Sequence, residues 1–160
     1  MAQSPSKFPW RYFARVFVCM AIPSFVIAGA ITRLFPGAPF PPLFVRGDSL
    51  NVIVWKCLLI GLIVPMVETL ILVYPTNLSG QAIRRRSVAA FVGVIPIVLL
   101  HGMVGWLKIV AVSWTFYVQA FSYLSLRDRG VSTRSAMTFV WLLHATLNSL
   151  ALTLVYLTLK

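Results

Sequence analysis

Apolar residues gather into five runs along this chain, separated by short breaks that are polar, basic, or rich in Pro and Gly. A polar, basic start over residues 1–15 carries Lys7, Arg11 and Arg15, and the first run follows from about Val16 to Leu34, interrupted by Pro23. The stretch from Pro36 to Pro42 cannot continue a helix, and Asp48 or Ser49 is suited to cap the next one. The second run extends from about Leu50 to Tyr74, and a break with Pro75, Gly80 and Arg84-Arg85-Arg86 ends it. The third, Ser87 to His101, is short for a full membrane span, and Gly102 and Gly105 loosen the chain before the fourth, Trp106 to Leu126. A basic turn with Arg127, Asp128, Arg129, Gly130 and Arg134 leads to the fifth, Ala136 to Leu159. A transmembrane helix needs about 20 mostly apolar residues. The pattern therefore predicts an all-α membrane protein, a bundle of about five transmembrane helices. Its parts are a basic N-terminus (1–15), an anchor helix (16–35) and a four-helix membrane core (50–160). Ala28-Gly29-Ala30 gives the first run some likeness to a cleavable signal peptide, but the apolar run continues past it, which favours an uncleaved anchor.

Composition agrees. Of the 160 residues 59% are hydrophobic and 11% charged, less than half of the roughly 25% charged residues of a soluble domain. The net charge of +11 does not indicate a nucleic-acid partner, because the Lys and Arg residues sit in short clusters between apolar runs rather than in one stripe. That is the distribution membrane insertion produces, and it makes the lipid bilayer the expected surrounding. Counted by alternate sides, Lys7, Arg11, Arg15, Arg84, Arg85, Arg86, Arg127, Arg129 and Arg134 make nine on one face. Arg33, Arg46, Lys160 and, by snorkelling, Lys56 and Lys108 make five on the other. The richer face is expected to be cytoplasmic, with the N-terminus inside and the C-terminus outside. Asn77-Leu78-Ser79 matches a glycosylation sequon but reads as an ordinary turn on the inner face. Cys19 and Cys57 have no Cys-x-x-Cys spacing and read as small buried hydrophobes.

The chemistry rests on a few polar residues within apolar runs. The chain has three acidic residues, Asp48, Glu68 and Asp128, and only Glu68 lies inside an apolar segment. An ionised carboxylate there costs several kcal/mol, with about 2.5–3.5 kcal/mol as the low figure for Asp, so an intramembrane acid points first to function. The plainer reading is a neutral Glu hydrogen-bonded between helices. The two histidines, His101 and His144, are also in apolar runs, and Asn148 stands one helical turn after His144 on the same face. A bundle hides polar groups from lipid by turning them towards one another. Glu68, His101, His144 and Asn148 are thus expected to meet in its interior.

In order and spacing these residues resemble the CAAX-protease and bacteriocin-processing family of intramembrane proteases. The family's motifs are Glu-Glu-x-x-x-Arg, Phe-x-x-x-His and His-x-x-x-Asn (or Asp). The third is intact as His144-Ala145-Thr146-Leu147-Asn148, and Tyr123 to Gly130 is similar to the turn that precedes it. The second keeps His101 but has Ile97 in place of Phe; the first keeps Glu68, with Thr69 and Val73 in place of the second Glu and the Arg. The resemblance covers about residues 50–155. It implies a bacterial cytoplasmic-membrane endopeptidase of glutamic type, without cofactor or metal, acting on a membrane-associated protein or peptide substrate. Its catalytic residues would be Glu68, His101, His144 and Asn148: Glu68, with His101, activates a water, and His144 and Asn148 meet the oxyanion. Pro65 would kink the helix and open a wet cavity.

Two other readings stay open. Glu68, His101 and His144 form a ligand set known for catalytic zinc, although no His-Glu-x-x-His pairing offers two ligands from one helix. Thr69 and Val73 would suit a non-catalytic relative, an immunity or scaffold protein. A transporter is disfavoured, with about five helices, one buried acid and no internal repeat. Depth sets a condition on any such cluster. His101 lies about 22 Å from the Arg triplet at 1.5 Å per residue, and Glu68 only about 9 Å from Tyr74. The two can meet only if the second helix runs on past Pro75 or the third begins after Arg86, and some of both is expected.

Overall fold

The computed structural model describes residues 9–35 and 49–158. Among them are five helices and no strand: α1 (Trp10–Leu34), α2 (Leu50–Ala82), α3 (Arg86–Gly102), α4 (Trp106–Asp128) and α5 (Thr133–Thr158). Four are long and apolar enough to cross a membrane, and α3 is the short one its sequence predicts. Large apolar side chains line the outside of the bundle: Leu62, Met66, Leu70 and Tyr74 on α2, Phe91, Ile95 and Leu99 on α3. Such an outward apolar surface belongs in lipid, and the protein is an integral membrane bundle. The Pro-rich stretch 36–42, Asp48, Lys7, Arg46 and Lys160 lie outside the described residues. Ser49 sits at the N-cap of α2, with no side-chain cap bond.

Helix α2 makes the extension that the depth of Glu68 requires. It does not end at Tyr74 but continues through Pro75 to Ala82. Packing explains this, because Leu72, Val73, Thr76 and Ser79 are buried and the last two meet α3. Ser79 Oγ donates to Ala89 O at 2.8 Å, so the sequon lies in a helix and not in a turn. Gly93 of α3 stands against Thr76, where even a Cβ would clash with the α2 backbone. Arg86 Nη1 then donates to Gly80 O at 2.8 Å, satisfying a carbonyl at the helix C-terminus. Asp128, expected in the basic turn, ends α4 and takes Arg86 Nε at 2.7 Å and Nη2 at 2.5 Å.

Helix α1 packs on α4: Ser24 and Thr115 share a hydrogen bond of 2.7 Å, and Trp114 Nε1 donates to Cys19 O. Its Met20 joins the same core as Phe116, Tyr123, Phe139 and Leu143. Cys19 and Cys57 are not buried, contrary to their reading as interior hydrophobes; both lie on the outer surface of the bundle. Between α4 and α5 the chain reverses at Gly130, whose φ of +76° is left-handed and costs a glycine little. Arg127 closes that turn by donating to Val131 O.

Candidate functional site

Three helices bring one carboxylate and two imidazoles together. Glu68 projects from α2, His101 from the last turn of α3 and His144 from the middle of α5. His101 Nε2 lies 3.0 Å from Glu68 Oε1, and His144 Nε2 lies 3.3 Å from Glu68 Oε2. The extension of α2 makes this possible. Counted from Ala82, Glu68 is about 21 Å in, matching the depth of about 22 Å for His101 counted from Arg86. Of the two adjustments expected, the structure uses the first alone, since α3 starts at Arg86.

The hydrogen-bond geometry fixes where protons can be. His101 Nδ1 is 2.9 Å from Ile97 O. A carbonyl only accepts, so Nδ1 carries hydrogen, a tautomer set by the network. A neutral His101 then has only a lone pair at Nε2, and a bare carboxylate cannot bond to it. The 3.0 Å contact therefore contains one shared proton, held as imidazolium and carboxylate or as imidazole and carboxylic acid. His144 is more enclosed: its side chain is 6% exposed, and Nδ1 is buried with no partner among the described residues. Donation from Nε2 to Glu68 leaves a lone pair at that position, which costs less than an orphan N–H. Glu68 and His101 remain open at 16% and 21% side-chain exposure. The opening follows from the shortness of α3, which ends one residue after His101.

Phe116 of α4 holds the arrangement from below. It is 1% exposed, with its ring centroid 5.2 Å from that of His101 and 5.4 Å from that of His144. Sequence reasoning missed it, because one aromatic in an apolar run carries no signal. An apolar groove of about 700 Å³ between α1, α3 and α4, lined by Ile27, Val98, Ile109 and Trp114, has the character of a lipid-facing surface and contains none of the three site residues.

Asn148 faces another task. Its Nδ2 donates to Ile60 O at 3.1 Å, within a single π-helical turn of α2, Leu59–Ile63. Trp141, which the sequence did not single out, donates from Nε1 to Leu62 O in the same turn at 3.2 Å. Glu68, His101 and His144 thus meet directly, while the amide of Asn148 is committed to the α2 backbone. Comparison of the chain with family models, with curated proteins and with solved structures gives no match.

Proposed function

We propose that this protein is an intramembrane endopeptidase in which Glu68 activates a water for attack on a peptide bond. The observation that carries the reading is the carboxylate of Glu68, in a membrane helix, in contact with two imidazoles from two other helices. Burying these groups is costly, and a bundle held by packing alone has no need of them. A general base must reach its water, and Glu68 is partly open. Glu68 takes a proton as the water oxygen bonds to the scissile carbonyl. The oxyanion that forms is met by the Nε2–H of His144, which turns from Glu68 as that carboxylate takes up the proton. The proton then passes to the leaving amine as the C–N bond breaks, giving a carboxylic acid and an amine. The proton shared by Glu68 and His101 is suited to that transfer. The substrate is a membrane-associated protein or peptide, and the nine-to-five charge split supports an N-terminus inside; the bacterial cytoplasmic membrane is what the family resemblance implies.

The test compares cells expressing wild type or Glu68→Gln by mass-spectrometric mapping of new protein termini in their membranes. Gln keeps size and hydrogen bonding but removes the base. Expected are membrane-protein termini that appear with wild type and fall by about 10²-fold or more with Glu68→Gln, the scale of general-base catalysis. Termini equal in the two strains overturn the proposal and leave the cluster a structural one, as in a scaffold or immunity protein. One stoichiometric zinc in the purified protein, lost in His101→Ala, replaces the glutamate mechanism by a metal-dependent one.

A further inference from the structure

Helix α2 contains a defect, and two side chains of α5 are fitted to it. Leu59–Ile63 forms a π turn in which Val64 N–H reaches back to Leu59 O, five residues away. The next bond in that register would run from residue 65 to Ile60 O, but residue 65 is Pro, which has no N–H. Its ring also crowds the carbonyl four residues earlier, that of Gly61, which disfavours an ordinary α turn here. Ile60 O is thus left without its helical donor within a membrane, where an unpaired carbonyl is costly. Asn148 Nδ2 supplies that donor at 3.1 Å, and Trp141 Nε1 adds a second bond to the turn at Leu62 O. Gly61 is buried at the contact, with Ser149 Oγ 3.2 Å from where a Cβ would stand, so α5 fits closely against the turn.

Resting on the peptidase reading, we infer that Asn148 and Trp141 are positioning residues: they hold the π turn that sets the rotation of α2, and through it the placing of Glu68. A π turn takes up one residue more than an α turn, and each α-helical residue rotates the chain by about 100°. Losing the turn rotates Glu68 relative to the first half of α2, or pulls that half out of register. Asn148 thus acts on the carboxylate through the backbone and not on the reacting atoms.

The bond can be read without any substrate. Ile60-Gly61 is the one Ile-Gly pair in the sequence. Labelling the full-length protein in lipid bilayers with carbonyl-13C Ile and 15N Gly therefore isolates the Ile60 carbonyl by solid-state NMR. Asn148→Leu, close in size but without a donor, should move that resonance upfield and lower Glu68-dependent cleavage. Pro65→Ala restores an N–H to residue 65, whose partner in the π register is Ile60 O. The double variant Pro65→Ala/Asn148→Leu should return the resonance towards its wild-type position and recover much of the cleavage. Trp141→Phe should lower cleavage in the same sense, by less. An unmoved resonance in Asn148→Leu overturns the inference. So does a double variant with restored resonance and no recovered cleavage where Pro65→Ala alone cleaves at the wild-type rate, so that the π register is kept; that result would place Asn148 at the reacting atoms. If Asn148→Leu does not insert, the unaltered chain decides: a dipolar contact between Asn side-chain 15N and the Ile60 carbonyl supports the clamp, and its absence rejects it. If wild type shows no Glu68-dependent cleavage, the peptidase reading fails and the NMR results still decide whether the clamp exists.

Discussion

At the scale of single residues the site depends on how side chains are held as much as on which ones are present. Phe116 packs against both imidazoles and is almost wholly buried. Phe116→Ala should destabilise the bundle by about 3–5 kcal/mol, as for a buried aromatic elsewhere, measured by unfolding in mixed detergent with intrinsic fluorescence. A loss below about 1 kcal/mol would mean that the ring is not the support described. The polar members of the site were readable from the sequence because an ionisable group in an apolar run stands out against its neighbours. Glu68, His101 and His144 converge as that argument requires. Asn148 was readable as a member of the same face of α5 but not as the partner of Ile60 O, because that partner exists only through the missing N–H of Pro65. Phe116 and Trp141 gave no signal, since neither breaks the apolar pattern.

At the scale of helices, the apolar runs gave the number and order of the elements, while the continuation of α2 past Pro75 was legible only from the depth that Glu68 must reach. A Pro removes one hydrogen bond, yet here the burial of Leu72, Val73, Thr76 and Ser79, the last two against α3, outweighs it. The length gained brings Glu68 level with His101. Close approach of α2 and α3 depends on Gly93, where an added Cβ would stand 2.6 Å from the Thr76 Cα and 3.0 Å from Ser79 Oγ. Backbone cannot swing aside as a side chain can, so Gly93→Ala must push the helices apart. We expect a loss of about 1–3 kcal/mol, the usual cost of overpacking, together with reduced Glu68-dependent cleavage as α2 shifts against His101. An Ala variant with wild-type thermal stability would show that the two helices are not held at this distance.

At the scale of the whole molecule, charge and shape agree on a direction. The ends of α2 and α4 and the starts of α1, α3 and α5 share one face, as shown by Arg86 bonded to Asp128 and Arg129 stacked on Tyr12. That face carries Arg11, Arg15, Arg84, Arg85, Arg86, Arg127, Arg129 and Arg134, with Asp128 the one acid among the described residues there. The acid–histidine cluster lies about 21 Å from it by helix rise, beyond the middle of a hydrocarbon core about 30 Å thick. Helix α3, at 17 residues, spans only about 25 Å, which leaves the cluster open towards the opposite face. If the basic face is cytoplasmic, as an excess of Arg dictates during insertion, water reaches Glu68 from outside. The orientation can be read directly. A phosphatase that is active only outside the cytoplasm, fused after Lys160, should be active in intact cells, and the same enzyme fused before Met1 should be silent. The reverse pattern would place the Arg-rich face outside, against the charge rule. Glu68 would then be open to the cytoplasm, and the substrates sought should be changed accordingly.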